Sequence, residues 1–148
     1  MKHFIQHSHK GRPLLLVALL AVFIGAAKAQ DAGTVSVHVT WIDPLPYTPV
    51  RVNTVAKMYS TTSATAGPVD ATVNITNDFY YGGYSRATSV TTIYLPKNTA
   101  LPVGVGDTTL SYKIPFPGSW TAGSTSTISA PGTTTVTSIS AQGFTVTQ

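Results

Sequence analysis

The chain has 148 residues, no cysteine, and nine Lys and Arg against five acidic side chains, for a formal charge of +4. That is one domain's worth of sequence, without disulfides or thiolate chemistry. Four of the cations (Lys2, Lys10, Arg12, Lys28) fall in the first 28 residues; the remainder balances five cations against Asp31, Asp43, Asp70, Asp78 and Asp107, which excludes the positive stripe of a nucleic-acid binder.

The N-terminal segment reads as a secretory signal. Lys2, Lys10 and Arg12 precede an uncharged apolar run over residues 14–27, and Ala27-Lys28-Ala29 supplies small residues at a cleavage site. The run is too short for a bilayer core, which takes roughly twenty residues. Residues 1–29 are thus expected to be removed, leaving no membrane span and a secreted, extracellular chain. His3, His7 and His9 leave with the signal.

The remaining sequence is dense in Ser and Thr, and its apolar residues alternate in short runs broken by Pro and Gly, the pattern of strands and turns. Residues 30–33 form a flexible lead. In residues 34–42, TVSVHVTWI, Val35, Val37, Val39 and Trp41 share one face and Ser36, His38 and Thr40 the other; Asp43-Pro44 ends the run, with Pro46 and Pro49 behind. A second strand is expected over 50–59, with Val50, Val52 and Val55 inward, then a loop over 60–68. Val69, Ala71, Val73 and Ile75 mark a third strand over 69–76. Residues 77–85, NDFYYGGYS, read as an aromatic, glycine-rich loop. Strands are expected over 86–95 and 108–114, with a turn region between them. A weaker pair is expected around 126–129 and 133–140, and a short last strand at 143–148. Composition equally allows a disordered Ser/Thr tail over 119–140.

About seven short strands in one domain predict an all-β fold, an immunoglobulin-like β-sandwich, with a jelly roll as the nearest rival. The expected organisation is a signal over 1–29, an N-terminal strand over 30–44 and a sandwich over 45–148.

Chemistry is sparse. One histidine, His38, remains after the signal, and no nucleophile-elbow sequence accompanies it, so no catalytic residue is expected. One His and no Cys argue against a transition-metal site, and no cofactor is expected. Asp70, Asn74, Asn77 and Asp78 offer oxygen ligands but not at EF-hand spacing. Asn74-Ile75-Thr76 is a glycosylation sequon. Phe79, Tyr80, Tyr81 and Tyr84 around Gly82-Gly83 are candidate ligand-stacking rings, or rings that cap the core beside a hairpin turn.

The first strand is the segment that suggests assembly. An alternating strand placed first and ended by prolines suits insertion into another molecule, where main-chain bonds give affinity and alternate side chains fill pockets. The same alternation suits packing within its own domain. The run TVSVHVTWIDP, residues 34–44, resembles the donor strand of cysteine-free alpha-type fimbrial subunits. The resemblance implies an incomplete immunoglobulin-like subunit completed by the Val35, Val37, Val39 and Trp41 strand of the next copy. It also implies a head-to-tail homopolymer at the cell surface, a periplasmic chaperone and an outer-membrane usher. The competing expectation is a monomeric secreted module binding carbohydrate or a surface through exposed aromatics.

Overall fold

A computed structural model of the chain describes residues 29–43 and 50–148. The expected signal, apart from Ala29, and the prolines at 44, 46 and 49 lie outside the described residues, as do the side chains of Trp41 and Ile42.

Every regular element among the described residues is a strand: β1 (Gly33–Asp43), β2 (Val50–Arg51), β3 (Val55–Ala66), β4 (Ala71–Tyr81), β5 (Tyr84–Leu95), β6 (Asp107–Lys113), β7 (Gly118–Ser129) and β8 (Val136–Thr147). They form a three-stranded sheet, β1-β3-β6, facing a five-stranded sheet, β2-β8-β7-β4-β5. The neighbours pair antiparallel, except that β2 runs parallel to β8. β1 lies in one sheet and β2 at the edge of the other, and the result is an immunoglobulin-like β-sandwich. Where the resemblance implies an incomplete subunit, β1 here occupies a place in its own chain's sandwich, along β3.

The strands are longer than the sequence suggests; six of the eight described run eleven or twelve residues. β3 continues into the expected loop at 60–68 as far as Ala66, β4 and β5 absorb the expected loop at 77–85 but for the Gly82-Gly83 turn, and β7 and β8 take most of the segment that composition allowed as a tail. The turn before β3 also resets the alternation. Asn53 adopts φ 66 and the Thr54 N–H bonds to the Arg51 carbonyl at 3.2 Å. Val55 is consequently exposed, and Ala56 and Met58 point inward in its place.

One cause underlies these differences. The core is two apolar clusters with a hydroxyl-lined waist between them. Val39, Met58, Phe79, Leu110, Ile114 and Trp120 fill one cluster, and Ala64, Val73, Ile75, Leu95 and Ile128 the other. Each large aliphatic or aromatic side chain so buried contributes about 1.5–3 kcal/mol. At the waist the inward positions belong to buried Ser60, Thr62, Asn77, Ser124 and Ser126. The Ser60 hydroxyl donates to Asn77 Oδ1 at 2.8 Å, Asn77 Nδ2 donates to Thr108 Oγ1 at 2.8 Å, and Thr108 closes the ring onto Ser60 at 2.8 Å. Thr62 and Ser126 bond across the sheets at 2.7 Å. A buried hydroxyl costs stability unless paired, and those of Ser60, Thr62 and Ser126 are paired. Ser124 Oγ is the buried side-chain polar atom without a partner among the described residues.

Candidate functional site

β1 carries the expected alternation. Val39 is buried, Val35 and Val37 are half-buried, and Thr34, Ser36, His38 and Thr40 are exposed. Val39 belongs to one apolar cluster, and Ala32 and Val35 to the other, so the strand spans both. Trp41 lies opposite Met58 in the ladder. The lead into β1 is not free: Ala32 is buried, its N–H bonds to the Thr134 carbonyl at 2.9 Å, and the Thr134 N–H returns to the Gln30 carbonyl at 2.9 Å. The expectation of a flexible lead is corrected by this anchor on the β7–β8 turn.

The two long sides of β1 are satisfied differently. Toward β3 it makes a continuous antiparallel ladder from Gly33 opposite Ala66 to Trp41 opposite Met58. Toward β8 the contact is made by side chains. The Val37 N–H donates to Ser138 Oγ at 3.1 Å and the Val39 N–H to Ser140 Oγ at 3.0 Å. Ser138 and Ser140 sit on the inward face of β8 (register partners Ser126 and Ser124 on β7). Two hydroxyls thereby finish an edge that would otherwise leave buried donors bare.

The aromatic candidates do not form one surface. Phe79 is fully buried, stacked 6.2 Å from Tyr112 and edge-on to Phe144 at 6.2 Å; its expected role as a surface ring is corrected, because strand alternation turns it inward. Tyr81 is half-buried, 4.8 Å from Trp120 and 5.9 Å from Phe116, with its hydroxyl on the Pro117 carbonyl at 3.2 Å. It caps the core. Gly82 and Gly83, at φ 59 and 82, make the two-residue hairpin turn to β5, a backbone that L side chains rarely adopt. Tyr84 is exposed just beyond it. Tyr80 alternates to the outer face of the five-stranded sheet, where its ring lies over Gly123: a Cβ built there would meet the ring at 3.2 Å.

That outer face is rich in hydroxyls. Its rows run Thr92, Asn74, Thr127, Thr137, then Val90, Thr76, Thr125, Ile139, then Thr88, Asp78, Gly123, Ala141. Within these rows the one ionisable group is Asp78, which is buried, its Oδ1 accepting from Ser85 at 2.8 Å and from Thr88. Burial, and then the neighbouring Asp78 carboxylate, push the Tyr80 phenol above its ordinary pKa. The opposite face is charged: His38, Thr61 and Asp107 share a row, as do Asp43, Lys57 and Ser111. Asn74 sits mid-strand on the hydroxyl face, its amide oxygen accepting from Thr92 Oγ1 at 2.8 Å. The four oxygen ligands considered for calcium are scattered: Asn77 points into the waist, Asn74 and Asp78 face outward, and Asp70 holds the Tyr94 hydroxyl and the Lys97 N–H.

Sequence reasoning missed Ser138 and Ser140. They lie in a polar tract, and the signal that could have found them is their two-residue spacing, which matches that of Val37 and Val39.

No family model matches the chain, and no curated protein matches it. Among solved structures it is similar to the CARDB domain of the PF1109 protein from Pyrococcus furiosus, determined in complex with di-metal ions. The likeness has a TM-score of 0.46 and 11% identity, and covers 82% of this chain and 95% of that one.

Proposed function

We propose that the chain is a structural subunit of an extracellular filament, joined by exchange of β1 between copies. The observation that carries this reading is the way β1 is held. Its side chains span two clusters, its ladder runs to one strand, and its other side rests on two serine hydroxyls. The same β1 from a second copy makes identical bonds to β3 and β8, so contact energy does not distinguish the two origins. The connection to β2 supports the exchanged origin. The sequence of residues 44–49 contains three prolines, and proline-rich linkers favour extended conformations. Head-to-tail exchange does not close and gives a filament. A joint burying the valines of β1 gains several kcal/mol at about 1.5–3 kcal/mol per side chain.

The test is negative-stain electron microscopy, with mass spectrometry, of material sheared from producing cells. Thin filaments of a chain beginning at Gln30 are expected. Val37→Asp, on the half-buried face of β1, is expected to abolish them while export continues, with exposed His38→Ala as the control that keeps them. Filaments unchanged in Val37→Asp refute strand exchange. Soluble monomer alone favours a second reading, a carbohydrate-binding module using Tyr80 on the hydroxyl face; the observation behind it is the ring laid over Gly123 beside Asp78.

A further inference from the structure

The edges of the two sheets are not equally finished. β1 is closed by the hydroxyls of Ser138 and Ser140. β2 is two residues long, and the chain leaving it bonds from Val52 to Thr147 and from Asn53 to Ile114. β6 has seven residues, begins at Asp107 and ends at Lys113, and Pro115 and Pro117 come directly after it. Charges, short length and prolines are the ordinary guards of a sheet edge.

β5 carries such guards only at its ends, Arg86 near its start and Pro96 directly after Leu95, and none along the length between. It runs twelve residues at the end of the five-stranded sheet. From Ala87 to Leu95 it carries no charge, no proline and no glycine. The irregularity in its ladder falls before that stretch, opposite Phe79 and Tyr80. Its core-facing residues Ala87, Ser89, Thr91 and Ile93 are only half-buried, although Ala87 and Ile93 pack on the two apolar clusters. Val90 and Tyr94, on its outer side, are 64% and 65% exposed. An edge of this kind recognises one ligand chemistry, the backbone of another extended strand.

We infer that β5 pairs antiparallel with β5 of a second copy, joining two five-stranded sheets across a two-fold axis near Thr91. The occupant is argued from the edge itself. Around that axis Val90 faces the second copy's Thr92 and Thr88 its Tyr94, β-branched and aromatic cross-strand pairs that favour antiparallel sheets. The uncharged run meets itself without repulsion. At each end Ala87 faces the second copy's Leu95, and the lone cation of β5, Arg86, falls opposite its Pro96. There Asp70 is fixed by the Tyr94 hydroxyl at 2.6 Å and the Lys97 N–H at 2.8 Å, so Lys97 and Asp70 leave that end without net charge. The interface is isologous and closes as a dimer. It uses neither β1 nor its slot and stands independently of strand exchange.

Sedimentation equilibrium of the purified chain tests this. A concentration-dependent dimer is expected, and V90K/T92K, both on the exposed side of β5, is expected to weaken it by about tenfold or more while the circular dichroism spectrum is retained. The chain has no cysteine, so Val90→Cys/Thr92→Cys, which places a thiol opposite a thiol across the axis, is expected to cross-link on mild oxidation. Ile139→Cys, at 72% exposure on the same face, is the site expected not to. Monomer at all concentrations, a dimer indifferent to V90K/T92K, or cross-linking from Ile139→Cys alone overturns the inference. Should V90K/T92K fail to fold, the two cysteine variants decide.

Discussion

The β1 flank and the β5 flank are opposite solutions to one problem, how a sheet ends. At β1 the chain finishes its own edge, with valines in both clusters and serine hydroxyls on the last N–H groups. At β5 the edge is left open, its inward side chains half-covered and its outward ones exposed. Both are uncharged over most of their length, long and alternating. Both end their sheets, and what separates them is that β8, across the sandwich, supplies serine hydroxyls to the outer N–H groups of β1. Alternation alone therefore does not mark an edge as finished or available.

One substitution placed on both flanks gives the largest contrast. Val39→Asp puts a carboxylate into an apolar cluster without a partner and is expected to cost about 3–5 kcal/mol. Val90→Asp is expected to change stability by less than about 0.5 kcal/mol, because that side chain is already in water. Urea unfolding at low protein concentration measures both. Equal losses would mean that β5 is buried within one chain after all.

Removing the hydroxyls that finish β1 is the next effect in size. Ser138→Ala and Ser140→Ala each leave a half-buried or buried N–H of β1 unpaired, at about 1–3 kcal/mol apiece. Amide hydrogen exchange should speed up at Val37 and Val39 first. Unchanged protection there would show that the hydroxyls are not what closes this flank.

The smallest effect lies at the far end of β5. The Tyr94 hydroxyl, and then the Lys97 N–H, hold the Asp70 carboxyl below its ordinary pKa. A depressed folded-state pKa stabilises the fold above the unfolded carboxylate value, and that contribution disappears as the pH falls through the folded value below it. The site is fully exposed, so the effect on stability is slight. Tyr94→Phe is expected to move the Asp70 carboxyl back up, read by carbon NMR titration. No movement would assign the shift to the backbone bond alone.

How far the sequence can be read depends on which side chains fill the inward positions. β1, β6 and the start of β4 are legible because Val, Ile, Leu and Tyr take those places, and most of β5 because Thr, Val and Ile run unbroken along it. Ser60 to Thr65 and the stretch around Ser124 and Ser126 read as loop or tail because Ser and Thr take most of them instead. In a period-two pattern a buried hydroxyl looks the same as an exposed one. Gly82-Gly83 reads as a hairpin turn, and it is one, but Asn77 and Asp78 also look like turn residues and widen it into a loop. The aromatic candidates divide for a related reason: adjacent strand residues face opposite sides, so Phe79, Tyr80 and Tyr81 could not share a surface.

By itself the sequence determined the all-β class, the alternating first strand and the near-neutral charge after the N-terminal segment, since these come from local periodicity and simple counting. Only the tertiary structure decided that Ser60, Asn77 and Thr108 form a closed ring in the waist, that Ser138 and Ser140 finish β1, and that β5 is the unguarded edge. Those facts depend on which strands meet across a separation of tens to a hundred residues, as with Val37 and Ser138, and no local pattern encodes that distance.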